Sequence, residues 1–344
     1  MSWLPMVRCA RPSCSLRRFG VRSLPVSNLA RYIRFMARKV ILGTRGSELA
    51  RRQAFLAEEA IQRANPGLLI ETRIITTHGD TTAVADSRAG FKGLFTARIE
   101  HELLDGNVDV AVHSAKDLPS ETSRDTEIAA ALPRAAVEDV LVSKYPGGFA
   151  SLPQGASVAT ASVRRRRQLS WRRPDLNIVA LRGNVPTRLR KLAENEWDAA
   201  VLARAGLERL GLSPSAGEFR FEGRRFFPEI LPREIFLPAG GQGIIALQVR
   251  AIDSVAKAVL SAVNDGETLL CLQAEREFLR GLKGDCNFPV GVLATIQNGA
   301  MKLRAQVFAD DSATPRQAEA EGACDQAKEL ARELLRMIGA GESR

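Results

Sequence analysis

From residue 39 onward the chain alternates short β-rich runs with helical ones, punctuated by glycine and proline, and this pattern restricts it to an α/β architecture. "KVILGT" (39–44) has the composition of a buried strand. Ser47 then stands as the cap of a helix, "ELARRQAFLAEEAIQRA", which Pro66-Gly67 ends. "LIETRIITT" (69–77) predicts a second strand, "LFTARIEHELL" a helix closed by Asp105-Gly106, and "VDVAVHSA" a further strand. After residue 133 the alternation starts again. Strands are expected at 156–162 and 176–181 with a helix opening at the arginine run between them, and "PTRLRKLAENE" is a helix with Pro186 in its first turn. "DAAVLA" (198–203) predicts a strand and "RAGLERLGL" a short helix, whereas 213–230, rich in Gly, Arg and Phe, predicts a surface loop. "GIIALQV" (243–249) returns as a strand, two helical stretches follow from 253, and the tail predicts a strand hairpin and a helix. At 344 residues such a chain suits two or three domains.

The formal charge of +10 suggests nucleic acid, but its location argues otherwise. Residues 1–39 hold eight Arg, one Lys and no acidic residue, and the first carboxylate is Glu48. Removing those nine cations leaves 40 Lys+Arg against 39 Asp+Glu, a net of +1 for the rest. The excess therefore belongs to a leader, 1–38, with the Arg-rich, Ser-containing, acid-free composition of an organelle transit peptide; a basic nucleic-acid-binding arm is the alternative. No apolar run reaches the length of a membrane span, so neither a nucleic acid nor a membrane is an expected partner. The five cysteines form no CxxC pair and no metal-like spacing with the three histidines, so no metal site and no disulfide framework are expected.

Three strand ends carry polar residues that the strands do not need. Arg45 and Ser47 follow the first strand; Ser114, Lys116 and Asp117 follow "VDVAV"; Thr160, Ser162 and Arg164–Arg167 stand at a strand-to-helix turn. In open α/β sheets ligands bind beyond the carboxyl ends of strands, where helix N-termini favour anions. With Arg182 and Arg188 the set predicts guanidinium forks suited to several carboxylates or phosphates. Helical geometry turns two members of the four-arginine run away from any such site. Asp117 is either a structural partner of Lys116 or a group that binds a ligand N–H, stabilises positive charge or relays a proton. "AGGQG" (239–243) precedes a strand and opens no helix, which excludes a dinucleotide loop. Cys286, in "GLKGDCNFPVG", reads from composition as a small buried hydrophobe, or else as a nucleophile or attachment point.

Taken together, "GTRGSELA", "FKGLF", "DVAVHSAKDLP", "ATASVRRRRQL", "LRGNVPTRLRKL", "LARAGLERLGL", "LPAGGQG" and "GDCNFPVG" resemble, in order, the motifs of the porphobilinogen deaminase (hydroxymethylbilane synthase) family, from about residue 39 to beyond 300. The resemblance implies an α/β fold of three domains: two lobes like those of periplasmic binding proteins flanking a cleft, and a smaller α/β C-terminal domain. The implied domains are 39–133 with 239–260, 134–238, and 261–344. It further implies one dipyrromethane cofactor per chain, held as a thioether by Cys286. Four porphobilinogen units add to this primer with loss of ammonia, and hydrolysis releases a linear tetrapyrrole. Arg45, Lys92, Lys116, Arg164, Arg165, Arg182 and Arg188 match carboxylate-binding positions, with Ser47, Ser114, Thr160 and Ser162 as further donors and Gln242 near the cofactor. Asp117 matches the catalytic carboxylate that binds pyrrole N–H groups and stabilises a cationic azafulvene. A monomer and import into a plastid, with the mitochondrion as alternative, are also implied. Gly46, Glu48 and Phe91 depart from the commonest family pattern without removing a catalytic group.

Overall fold

The computed structural model describes residues 39–76, 92–282, 289–309 and 312–339. Three separate sheets organise them. The first begins with β1 (Val40–Arg45), α1 (Glu48–Ala64), β2 (Ile70–Ile75), α2 (Lys92–Leu104), β3 (Val110–Ser114), a 3-10 turn (Ala115–Asp117) and β4 (Thr126–Ala131). The chain then forms β5 (Asp139–Ser143), β6 (Ser157–Ala159), α3 (Val163–Arg172), β7 (Asn177–Val179), α4 (Val185–Glu194), β8 (Ala199–Ala203), α5 (Arg204–Arg209), β9 (Phe219–Phe221) and β10 (Arg224–Ile230). It returns to the first sheet as β11 (Ile245–Arg250) and continues through α6 (Ser254–Ser261) and α7 (Gly266–Gly281). The last unit is β12 (Val290–Gln297), β13 (Ala300–Val307), β14 (Arg316–Ala323) and α8 (Ala327–Ile338).

The strand orders are β2-β1-β3-β11-β4, β7-β6-β8-β5-β10-β9 and β12-β13-β14. In the first sheet β1 runs parallel to β2 and β3, while β11 is antiparallel to β3 and β4. In the second, β6 is parallel to β7 and β8, and β5 lies antiparallel to both β8 and β10. Parallel pairing forces a helical crossover, which aligns several strand C-termini at one edge of each sheet. The third sheet is wholly antiparallel and packs against α7 and α8. There Leu330, Ala331, Leu334 and Ile338 form the buried stripe of α8, and Gly339 ends it with φ +74°.

The local signals for helix starts hold. Ser47 Oγ accepts from the Ala50 amide (3.3 Å), Ser162 Oγ from the Arg165 amide (3.4 Å) and Asn184 Oδ1 from the Thr187 amide (2.9 Å). The surface loop expected over 213–230 is a correction. It contains a 3-10 turn (Pro214–Ala216) and the β9–β10 hairpin, whose Glu222-Gly223 turn has both φ values positive, at +46° and +78°. Phe226 is buried, and Phe227–Ile230 pair with Ser143–Val140. Charged residues and Pro228 hid this strand, whose pairing with β5 tolerates the proline near the sheet's edge. Strands β4, β5 and β14 were also unforeseen: "TEIAAA" is alanine-rich, and "RQAEAEGA" is a polar edge strand.

The chain crosses between the first two sheets twice, at 132–138 and 231–244, and the third unit docks where these crossings meet. Glu275 of α7, fully buried, accepts from Arg134 (Nη1 2.7 Å, Nη2 3.2 Å), the Gly241 amide (2.6 Å) and the Ala294 amide (2.8 Å). Removing one member of a buried, hydrogen-bonded ion pair leaves an uncompensated charge and unmet amides. Glu275→Ala is expected to lose about 3–5 kcal/mol of stability. Urea unfolding checks this, with the exposed Glu329→Ala as the control that should change little.

A cationic cluster at the strand ends

Arg45 closes β1, and Ser47 caps α1 two residues later. Ser114 closes β3, where its hydroxyl pairs with the Gln53 side chain at 2.8–2.9 Å, and Lys116 and Asp117 lie in the 3-10 turn that follows. Thr160 follows β6; it is buried, and its Oγ1 accepts from the Ser162 amide (3.2 Å). Arg182 is exposed beyond β7, and Arg188 in α4 donates from Nε to the Gly183 carbonyl (2.7 Å). Lys92 opens α2. Cys286 and the leader 1–38 lie outside the described residues.

The structure joins part of this set directly. Lys116 Nζ donates to Gln242 Oε1 (3.3 Å), and Gln242 Nε2 donates to Asp139 Oδ1 (2.9 Å) and the Val137 carbonyl (2.7 Å). Asp139, 1% exposed, pairs with Arg164 Nη1 (2.8 Å) and Arg165 Nη2 (2.7 Å). Arg164 and Arg165 are therefore buried groups held from within, while Arg166 is exposed and Arg167 half-buried, the division expected of the run. Burial opposes charge on Asp139, but the two guanidiniums hold its carboxyl well below the usual range. Ser162 meets this network through its cap bond to the Arg165 amide, and Thr160 through the Ser162 amide, whereas Ser47 bonds to the Ala50 amide and Ser114 to Gln53.

Asp139 was missed at the sequence level. Its signal is a carboxylate opening "DVLVS", a strand buried at every position, where an ionised side chain needs a partner. Gln242 owes its place to the glycines around it. Gly241 has φ +74°, and a Cβ there would lie 2.9 Å from the Ala115 carbonyl carbon and the Lys116 nitrogen. "AGGQG" is thus a close-approach segment, which brings Gln242 under Lys116.

Desolvation, then the nearby Arg165, pushes Lys116 down to about 7, against the opposing pull of Asp117 and Asp139. Arg188 falls to about 10, first through burial and then through Arg165, with Asp117 opposing. Lys116, Arg164, Arg165 and Arg188 stand against the two carboxylates Asp117 and Asp139, so with Lys116 protonated the cluster has a surplus of two positive charges. Arg164 Nε and Arg165 Nε are buried without an acceptor. A cluster of this kind lacks anions, and a group bearing carboxylates would supply them.

The fold and the cluster define an α/β protein with a cationic cluster between its strand ends. Sequence comparison makes this specific. The family described as "Porphobilinogen deaminase, dipyromethane cofactor binding domain" matches residues 40–258, and "Porphobilinogen deaminase, C-terminal domain" matches 269–340. The porphobilinogen deaminase of Syntrophomonas wolfei is 42% identical over 302 residues, covering 88% of this chain and 95% of that protein. The protein of the same name from Moorella thermoacetica is 42% identical over 314 residues (88% and 95%), and that from Chlorobium phaeobacteroides 37% over 321 (89% and 97%). The chain belongs to the porphobilinogen deaminase family.

Because Lys116 is pushed down to about 7, its positive charge should fade as pH rises past that value. The expected profile of kcat/KM for porphobilinogen falls on its alkaline side with a pKa near that value. Lys116→Arg, whose guanidinium stays charged, should remove this limb from the measured range. An unchanged limb in that variant would assign the titration to another group.

Proposed function

We propose that this chain performs the family reaction with Asp117 as its catalytic carboxylate. It is a transferase of tetrapyrrole biosynthesis, a hydroxymethylbilane synthase that joins four porphobilinogen molecules head to tail with release of ammonia. The observation that carries the reading is the state of Asp117. Half-buried beside Lys116 and in the field of Arg188, it makes no ion pair among the described residues, whereas Asp139 is saturated by two arginines. Of the two readings of Asp117, the structural partner of Lys116 is thus disfavoured.

The cofactor of the family is dipyrromethane. The surplus of two charges and the two unaccepted guanidinium N–H groups fit its carboxylates. Arg165, Arg164, Arg188 and Lys116 would hold it, with Cys286 as the thioether attachment, and bound there it would supply the free pyrrole carbon that the first unit joins. The other expected donors, Arg45, Ser47, Lys92, Ser114, Thr160, Ser162 and Arg182, are proposed to bind the acidic side chains of added units. Asp117 accepts hydrogen bonds from pyrrole N–H groups, stabilises the positive charge that develops as ammonia leaves, and takes the proton lost when the carbon–carbon bond has formed. The guanidiniums neutralise the acetate and propionate groups without competing for that proton, since they do not give theirs up.

The three sheets are proposed as three domains, 39–133 with 239–260, 134–238 and 261–344, in a monomer. Residues 1–38 are proposed to direct import into a plastid and hence toward chlorophyll as well as heme. A fusion of 1–39 to a fluorescent reporter should label plastids; mitochondrial labelling would reverse the assignment.

Purified protein should exceed its sequence mass by one dipyrromethane, and Cys286→Ser should not. Asp117→Ala should keep the cofactor and the fold while turnover falls by about 10²–10⁴-fold. A wild-type protein that is active without added mass would remove the cofactor from Cys286. A fully loaded Asp117→Ala protein with near-normal turnover would remove the catalytic role from Asp117.

A further inference from the structure

The buried Asp139 pairing is one link in a longer chain of side chains. Gln168 Oε1 accepts from Arg164 Nη1 (2.9 Å). Gln168 Nε2 donates to the Leu237 carbonyl (2.8 Å) and to Gln306 Oε1 (2.6 Å), and Gln306 Nε2 donates to the Ile235 carbonyl (3.1 Å). Gln242, Asp139, Gln168 and Gln306 are each at most 1% exposed. The polar line therefore runs unbroken from Lys116 of the first unit through Gln242 of the return crossing and Asp139, Arg164 and Gln168 of the second unit to Gln306 of β13 in the third.

The direction of each amide is determined. The Ile235 carbonyl can only accept, so Gln306 must present its nitrogen there and its oxygen to Gln168. Gln168 must then give its nitrogen to Gln306 and Leu237, which leaves its oxygen for Arg164. The Arg164 Nη1 that meets Gln168 also donates to the Leu237 carbonyl (2.9 Å) and to Asp139 Oδ2 (2.8 Å), and Asp139 in turn meets Arg165 and Gln242. The same helix is gripped again one residue earlier. Arg167 Nη2 donates to the Ala309 and Ser312 carbonyls, and its guanidinium lies over the Phe308 ring at 5.8 Å.

We propose that Gln306 is a positioning residue of the porphobilinogen site: acting through Gln168 and Arg164, the C-terminal unit sets the pose of the cationic cluster in the other two. Gln306 touches no reacting atom. It acts by taking the second N–H of Gln168 Nε2, which together with the Leu237 carbonyl fixes where that amide sits against Arg164. The inference rests on the substrate-binding role of the Arg164, Arg165 and Lys116 cluster.

Gln306→Leu keeps approximate size and removes both polar ends. Val307→Ala, its neighbour in the apolar core of the third unit, removes buried carbon without touching the line and serves as the control for lost stability. In cofactor-loaded enzyme, verified by intact mass, Gln306→Leu should raise the KM for porphobilinogen about fivefold or more with kcat within twofold. Amide exchange across 160–170 should speed up severalfold in that variant and stay at the wild-type rate in Val307→Ala. Gln168→Leu should reproduce the KM effect, and the double variant should be no worse than either single one. Equal KM changes in Gln306→Leu and Val307→Ala would overturn the proposal, as would additive effects of the two glutamine changes. If Arg165→Ala and Lys116→Ala leave KM untouched, the binding role of the cluster fails, which distinguishes that result from a failure of Gln306 alone.

Discussion

The meeting point of the three units is a single buried carboxylate. Glu275 binds Arg134 from the outgoing crossing, the Gly241 amide from the returning crossing and the Ala294 amide from β12. Arg134 closes the knot by donating to the carbonyls of Gln242 (3.0 Å) and Ala294 (3.2 Å). A desolvated pair of this kind contributes little net stability over an apolar equivalent, but it is costly to break and strict in direction. Its consequence here is positional. Gly241 is held by its amide, and the next residue, Gln242, is held by its carbonyl, so the Gln242 side chain can point only toward Asp139 and Lys116.

That constraint explains how so many like charges coexist. Arg164, Arg165 and Lys116 repel one another, and burial penalises the charge on Arg164 and Lys116. Asp139 offsets two of them, and the neutral Gln242 passes its hydrogen bonding on to the third without adding a charge. A second buried carboxylate beside Lys116 would have favoured its ammonium form but removed part of the cluster's surplus of positive charge. His113 shows the other solution. Buried behind the same turn, it is pushed down to about 4, chiefly by desolvation, and sits as a neutral ring against Gln248 (3.0 Å).

Much of this was legible in the chain, for identifiable reasons. Helix caps announced α1 and α3, and the apolar alternation announced β1, β3 and β8, because both signals are local. The strand ends announced the cationic residues, since a charge there has no packing purpose. Asp139, Gln168 and Gln306 could not be found this way. Their spacing in sequence (139, 168 and 306) carries no period, and a glutamine at a strand interior looks identical whether it faces solvent or closes a buried line. The β9–β10 hairpin was hidden for a different reason: Phe219 and Phe226 are its buried positions among many charged residues, and the partner strand β5 lies some eighty residues earlier in the chain.

Gly243 shows why the site must be controlled from the crossings. Its φ of +87° and the 2.4 Å that would separate a Cβ from the Ala135 carbonyl exclude any side chain, so the two crossings touch backbone to backbone. The Ala135 amide donates to the Gly243 carbonyl (3.1 Å), which also accepts from Arg209 of α5 (2.6 Å). A contact so close leaves no room for a swelling or shrinking interface at this point. Gly243 is one residue from Gln242, so this backbone contact between the crossings also fixes the segment from which Gln242 reaches Lys116 and Asp139.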